Sequence, residues 1–100
     1  MKVDVVVCTY NSEKFLDKCL RSIVSNIPIN TLYVIDNFST DRSKKISLGW
    51  GAEVIESNCS LAEARALSFR IVKTPMVVNV DSDLVLCEDW FKKILKFWNF

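Results

Sequence analysis

One hundred residues, with apolar positions spread evenly and no low-complexity stretch, make a single domain without a linker. Half of the residues are hydrophobic, against two Gly and two Pro, so the chain buries a continuous core and is not disordered. Thirteen basic and twelve acidic residues leave a charge of +1, which argues against a nucleic-acid partner, and the absence of histidine excludes Ser-His and Cys-His nucleophiles and His-rich zinc sites.

Residues 3–8 (VDVVVC) form a nearly unbroken β-branched run, which predicts a strand covered on both faces. Phe15, Leu16, Cys19, Leu20, Ile23 and Val24 then recur at helical spacing, with Asn11 or Ser12 as candidate caps and Pro28 as the stop. Residues 31–35 (TLYVI) are a second strand, halted by the polar cluster 36–41, and a short helix over 41–48 follows. Gly49 and Gly51 frame a turn before a third strand at 53–55. A helix over 61–72 presents Leu61, Ala64, Leu67, Ser68 and Ile71 on one face, until Thr74-Pro75 breaks it. Residues 76–80 (MVVNV) are a fourth strand, followed directly by Asp81-Ser82-Asp83. The last helix, 88–99, sets Phe91, Ile94, Leu95 and Trp98 at i, i+3, i+4 and i+7.

Strict alternation of strand and helix implies an α/β domain: a Rossmann-like parallel sheet with right-handed crossovers and helices on both faces. Ligands of such sheets sit beyond the carboxyl ends of the strands. That rule gathers three polar segments at one edge, residues 8–11, 36–41 and 81–83.

Asp81 and Asp83 repel one another unless a cation or donor offsets them. A hard divalent ion, Mg²⁺ or Mn²⁺, takes oxygen ligands and bridges carboxylate to phosphate, so an acidic rim can hold an anionic diphosphate. Alone, Asp-Ser-Asp is an ordinary solvated turn; its place after a buried strand favours the metal. Asp36 and Asn37 could pair with the polar edge of a base, yet such residues also favour loops for turn chemistry of their own, and Asp41 could cap the next helix. Tyr10 is either a stacking ring or a half-buried loop aromatic. Arg65, in the middle of its helix, has the reach to meet a phosphate or Asp81, or to lie on a solvated face. Lys92, Lys93 and Lys96 among Phe97, Trp98 and Phe100 resemble a membrane-surface helix, but read first as an amphipathic helix packed on a core.

Cys8, Cys19, Cys59 and Cys87 form no CxxC pair and read as buried free thiols of a reducing compartment. The apolar run after Met1-Lys2, interrupted by Asp4, is too short for a signal peptide or a membrane span. Both points predict a cytoplasmic protein.

Together these segments resemble family 2 glycosyltransferases of the GT-A fold. VVVCTYNSEKFLDKCLRSI is similar to the family's opening strand, T-Y-N loop and first helix. VIDNFSTD resembles its V-D-D-G-S-T-D segment, and SNCSLAEARALSFRIVKTPMVVNVDSD the stretch from an Arg-bearing helix to the D-x-D. The likeness spans essentially the whole chain and implies the strand order 3-2-1-4. It implies that Thr9 and Tyr10 line a nucleotide pocket and that Asp36 and Asn37 read the base. It further implies that Asp81 and Ser82 lie near the ribose and diphosphate, that Arg65 stands where the family often has an Arg near the nucleotide, and that Asp83 is the direct metal ligand. The implied partner is a nucleotide-diphosphate sugar of the UDP or dTDP type.

Three departures stand out. Asn37 occupies the place of a second Asp, Phe38 that of a common Gly, and Ala66 that of an Asn. No residue matches the family's catalytic base, which lies beyond the D-x-D together with the acceptor site. The chain is therefore expected to be the nucleotide-sugar-binding part of an inverting glycosyltransferase. The competing reading is a non-catalytic module of the same fold that binds nucleotide or a protein partner. With order 3-2-1-4, residues 76–80 form an open, apolar edge, which predicts a homodimer through that edge or the last helix.

Overall fold

The computed structural model describes residues 1–58 and 60–98. Its elements alternate as the sequence predicts: β1 (Val3–Thr9), α1 (Glu13–Asn26), β2 (Ile29–Asp36), α2 (Ser43–Gly49), β3 (Glu53–Glu56), α3 (Leu61–Ile71), β4 (Val77–Asp81) and α4 (Trp90–Trp98). The strands form a parallel sheet in the order β3-β2-β1-β4, the expected one.

Alternation along β1 sorts the two faces. Val3, Val5 and Val7 pack with Leu16, Cys19, Leu20 and Ile23 of α1, with Ile46 before Trp50 on the α2 side, and with Trp90, Phe91 and Leu95 of α4. Val6 packs on the opposite face with Tyr33, Ile35 and Ala64, joined by Leu67 and Ile71 of α3. Helices thus cover both faces, and β1 is buried along its length.

Several boundaries differ from the sequence reading, each for a local reason. β2 begins at Ile29, because the Pro28 carbonyl accepts from Val3 N at 2.9 Å and brings Ile29 opposite Val3. α2 begins at Ser43 rather than 41, since the Asp41 carboxylate accepts from Ser43 N at 2.9 Å and so ends the preceding turn. Gly51 takes φ +78°, a backbone state that suits glycine, and turns the chain from α2 into β3. α4 begins at Trp90 rather than 88, after Asp89 at φ 60°. Asn99, where the sequence reading ended that helix, lies outside the described residues, as does Cys59.

The strand registers align the sheet's carboxyl edge. Thr9 stands opposite Asp36, and Cys8 opposite Asp81. The ends of β1, β2 and β4 therefore finish level, and the loops that follow them share one rim.

Candidate functional site

The loops after β1 and β2 are zipped together. Asn37 N donates to the Thr9 carbonyl (3.0 Å), Asn11 N to Ser39 Oγ (2.9 Å), and Thr40 N to Asn11 Oδ1 (2.8 Å). Farther out, Glu13 N donates to Asp41 Oδ2 (3.1 Å) and Arg42 N to Glu13 Oε2 (3.2 Å). Asp41 thus satisfies N–H groups at the starts of both α1 and α2, more than the single cap expected from sequence.

Between these loops and the start of α3 lies a cavity of about 140 Å³. Thr9, Tyr10 and Asn37 line one side, and Ser57, Ser60, Leu61 and Ala64 the other. The Thr9 hydroxyl is buried and has no hydrogen-bond partner among the described residues. Such a group costs free energy unless a ligand or water satisfies it. Tyr10 is 61% exposed at the mouth. Asp36 does not line this space: it is 1% exposed, and its carboxylate accepts from both the N–H and the hydroxyl of Ser39. Phe38 adopts φ 51°, a left-handed backbone state that favours glycine, with its ring exposed.

The acidic turn lies on the other side of β1. Leu84 N donates to the Asp81 carbonyl at 3.1 Å and closes a turn with Ser82 and Asp83 at its centre. Ser82 is buried and Asp83 exposed. Arg65 Nη2 meets Asp81 Oδ1 at 3.1 Å across the sheet edge, with the two side chains 51% and 49% exposed. An ion pair so open to water contributes about 1 kcal/mol at most. Its meaning is positional, since it brings α3 and the end of β4 to one place.

The Cys19 thiol lies beneath this turn and donates to the Asp81 carbonyl at 3.5 Å. Burial pushes its pKa up to about 11, and the negative charges of Asp83 and Asp81 add to that shift. Cys19 therefore stays protonated, as a structural thiol. Among the described residues no group of three or more His, Cys, Asp or Glu side chains is poised around one point.

The residues predicted from sequence thus fall into two clusters flanking β1. Thr9, Tyr10 and Asn37 share the cavity; Arg65, Asp81, Ser82 and Asp83 share the turn. Asp36 holds the loop between. Sequence reasoning passed over the far wall, Ser57, Ser60, Leu61 and Ala64, although Ser60 and Glu63 carry the capping-box spacing that marks where α3 begins.

Known proteins share this fold. The model of glycosyl transferase family 2 matches residues 4–100. Glycosyltransferase GlyA of Streptococcus pneumoniae is 30% identical over 107 residues, a match that covers 96% of this chain and 15% of GlyA. A crystal structure of S. aureus TarS in complex with UDP superposes with a TM-score of 0.82 at 26% identity, covering 99% of this chain and 32% of that one. Glucosyl-3-phosphoglycerate synthase of Mycobacterium tuberculosis, in complex with Mn²⁺, UDP and glucosyl-3-phosphoglycerate, gives 0.73 at 26% identity, with 94% and 38% covered. The chain spans well under half the length of each of these relatives. With its sheet order, its paired polar loops and its acidic turn at the end of β4, this chain belongs to glycosyl transferase family 2.

Proposed function

We propose that this chain is the nucleotide-sugar-binding part of an inverting glycosyltransferase, with the nucleotide in the cavity after β1 and the diphosphate at Asp81-Ser82-Asp83. The observation that carries the reading is the register of β1, which sets Thr9 level with Asp36 and Cys8 level with Asp81. A ligand lying across the end of β1 then reaches both clusters at once.

The roles follow from chemistry. Thr9 lines the wall of the cavity, the Asn37 amide meets the polar edge of a base, and the exposed Tyr10 ring stacks on it. With the Asp36 carboxylate occupied by Ser39, base contact falls to Asn37 while Asp36 fixes the loop that presents it. Arg65 exchanges Asp81 for a phosphate oxygen, another charge-assisted partner.

The donor set of Asp81 and Asp83 suits a hard divalent cation: carboxylates offer oxygen donors only, and two of them would leave room for phosphate oxygens and water. When bound, Mg²⁺ or Mn²⁺ supplies positive charge against the departing diphosphate. The complexes of TarS with UDP and of the mycobacterial synthase with UDP and Mn²⁺ support a UDP-type donor and this choice of ion. The remaining proposals are a cytoplasmic setting and a second copy of the chain paired along β4.

Calorimetric titration with UDP, with and without Mn²⁺, tests the site. Mn²⁺ should tighten binding in the wild type and have no effect in Asp83→Ala; equal tightening in both assigns the metal wrongly. No residue matches a catalytic base, so these 100 residues alone should not turn over UDP-sugar, whether or not an acceptor is added.

A further inference from the structure

We propose that Ser12 is a positioning residue that holds the acidic turn in register with the nucleotide cavity. The inference rests on the site reading given under Proposed function and concerns how its two halves are kept together.

A serine at a helix N-cap ordinarily turns its hydroxyl back onto the N–H of the second or third helical residue. Ser12 occupies the N-cap of α1 and makes no such bond. Its hydroxyl lies 2.8 Å from Ser82 Oγ, seventy residues away in sequence, and donates to the Tyr10 carbonyl at 3.2 Å. The helix start is served instead from outside, by Asp41 on Glu13 N. Ser12 has been released from local capping and used across the site.

One proton order satisfies both contacts: Ser82 donates to Ser12, and Ser12 donates to the Tyr10 carbonyl. The turn that carries Asp81 and Asp83 is thereby joined, through one hydroxyl, to the loop that carries Thr9 and Tyr10.

Two further side chains of α1 grip the same segment. Cys19 donates to the Asp81 carbonyl, and Ser22 Oγ accepts from Leu86 N at 2.9 Å while donating to the Cys19 carbonyl at 2.7 Å. Ser12, Cys19 and Ser22 lie seven and three residues apart, along one side of the helix. Beside them Leu16, Leu20 and Ile23 are fully buried in the core, so α1 cannot slide without disturbing it. The helix therefore acts as a fixed bar against which the turn is set. Cys19 and Ser22 hold its backbone, and Ser12 sets its distance from the base cavity.

The test uses the full chain and reads the factor by which Mn²⁺ tightens UDP binding, alongside the melting temperature. Ser12→Ala should cut that factor about fivefold, the value of one hydrogen bond. Ser12→Thr, which keeps the hydroxyl, should restore it. Ser82→Ala should give the same loss, and the double variant no more than either single one. A purely structural role for Ser12 would lower the melting temperature without changing the Mn²⁺ factor. The inference is overturned if Ser12→Ala, or Ser82→Ala should Ser12→Ala not fold, keeps the full Mn²⁺ factor while Asp83→Ala abolishes it. A wild-type chain with no Mn²⁺ factor at all would instead sink the underlying metal reading.

Discussion

Asp4 is a carboxylate within a strand whose valines are fully buried, and it is itself at 0% exposure. Burial alone would raise its pKa. The backbone N–H of Lys73, the Asn30 amide and the N–H groups of Thr74 and Thr31 outweigh that effect and hold it below the usual 3.8. The folded-state pKa is depressed, so this stabilisation is full above pH 4 and is lost as pH falls through the lower folded value. Asp4→Asn presents an NH₂ to a ring of donors and should cost about 2 kcal/mol, or about 10 °C in Tm at pH 7. The variant's stability should also depend less on pH below about 4, measurable by thermal melts across pH. Phe38 is the converse case, a residue whose local state costs energy. At φ 51° and exposed, it should be replaced with profit by glycine, and Phe38→Gly should raise stability by about 1 kcal/mol in denaturant titrations.

Among the elements, α3 and α4 make opposite cases. α3 begins with a complete capping box: Ser60 Oγ accepts from Glu63 N at 3.2 Å, and Glu63 Oε1 accepts from Ser60 N at 3.3 Å. Ser60→Ala should therefore cost about 1 kcal/mol of stability by chemical denaturation. Because Ser60 also lines the cavity, its loss tests whether a rigid α3 start matters for UDP affinity. α4 carries the pattern that from sequence also suited a membrane surface. Its Phe91 is buried in the core beside Trp90 and Leu95, while Lys92, Lys93 and Lys96 stay exposed. Phe91→Ala should cost roughly 3 kcal/mol, whereas alanine at any of the three lysines should change stability by less than about 0.5 kcal/mol. Equal effects at both faces would mean that the core does not hold this helix.

At the scale of the whole molecule, β4 is paired on the β1 side only, among the described residues, and forms one edge of the sheet. Beside it lies a mainly apolar hollow lined by Met1, Lys2, Val3, Pro75, Met76 and Val77. A nearly neutral chain with such an edge has little charge to keep copies apart. The proposed dimer should appear as twice the 11.5 kDa monomer mass in light scattering, and Asn79→Lys, which puts charge on an exposed position of that strand, should return it to monomer. A monomer at every concentration would remove the edge from consideration. No helix among the described residues is long and apolar enough to cross a membrane.

The sequence by itself determined the order of the elements, the parallel sheet and the presence of an acidic turn at the end of the fourth strand. Those features are set by short-range causes: the period of apolar residues, Gly and Pro at turns, and β-branched runs in strands. It could not tell that Asp4 anchors the opposite end of the sheet, since Asn30, Thr31, Lys73 and Thr74 meet it only once β1, β2 and the α3–β4 link are assembled. Nor could it separate Asp36 from Asn37. Only the folded loop turns one onto Ser39 and the other toward the cavity. Ser12 is the clearest instance. In the sequence it is an ordinary helix cap, and its contact with Ser82 exists because the sheet places β1 and β4 side by side. Local structure follows from neighbours along the chain, whereas a site depends on which strands the sheet makes adjacent.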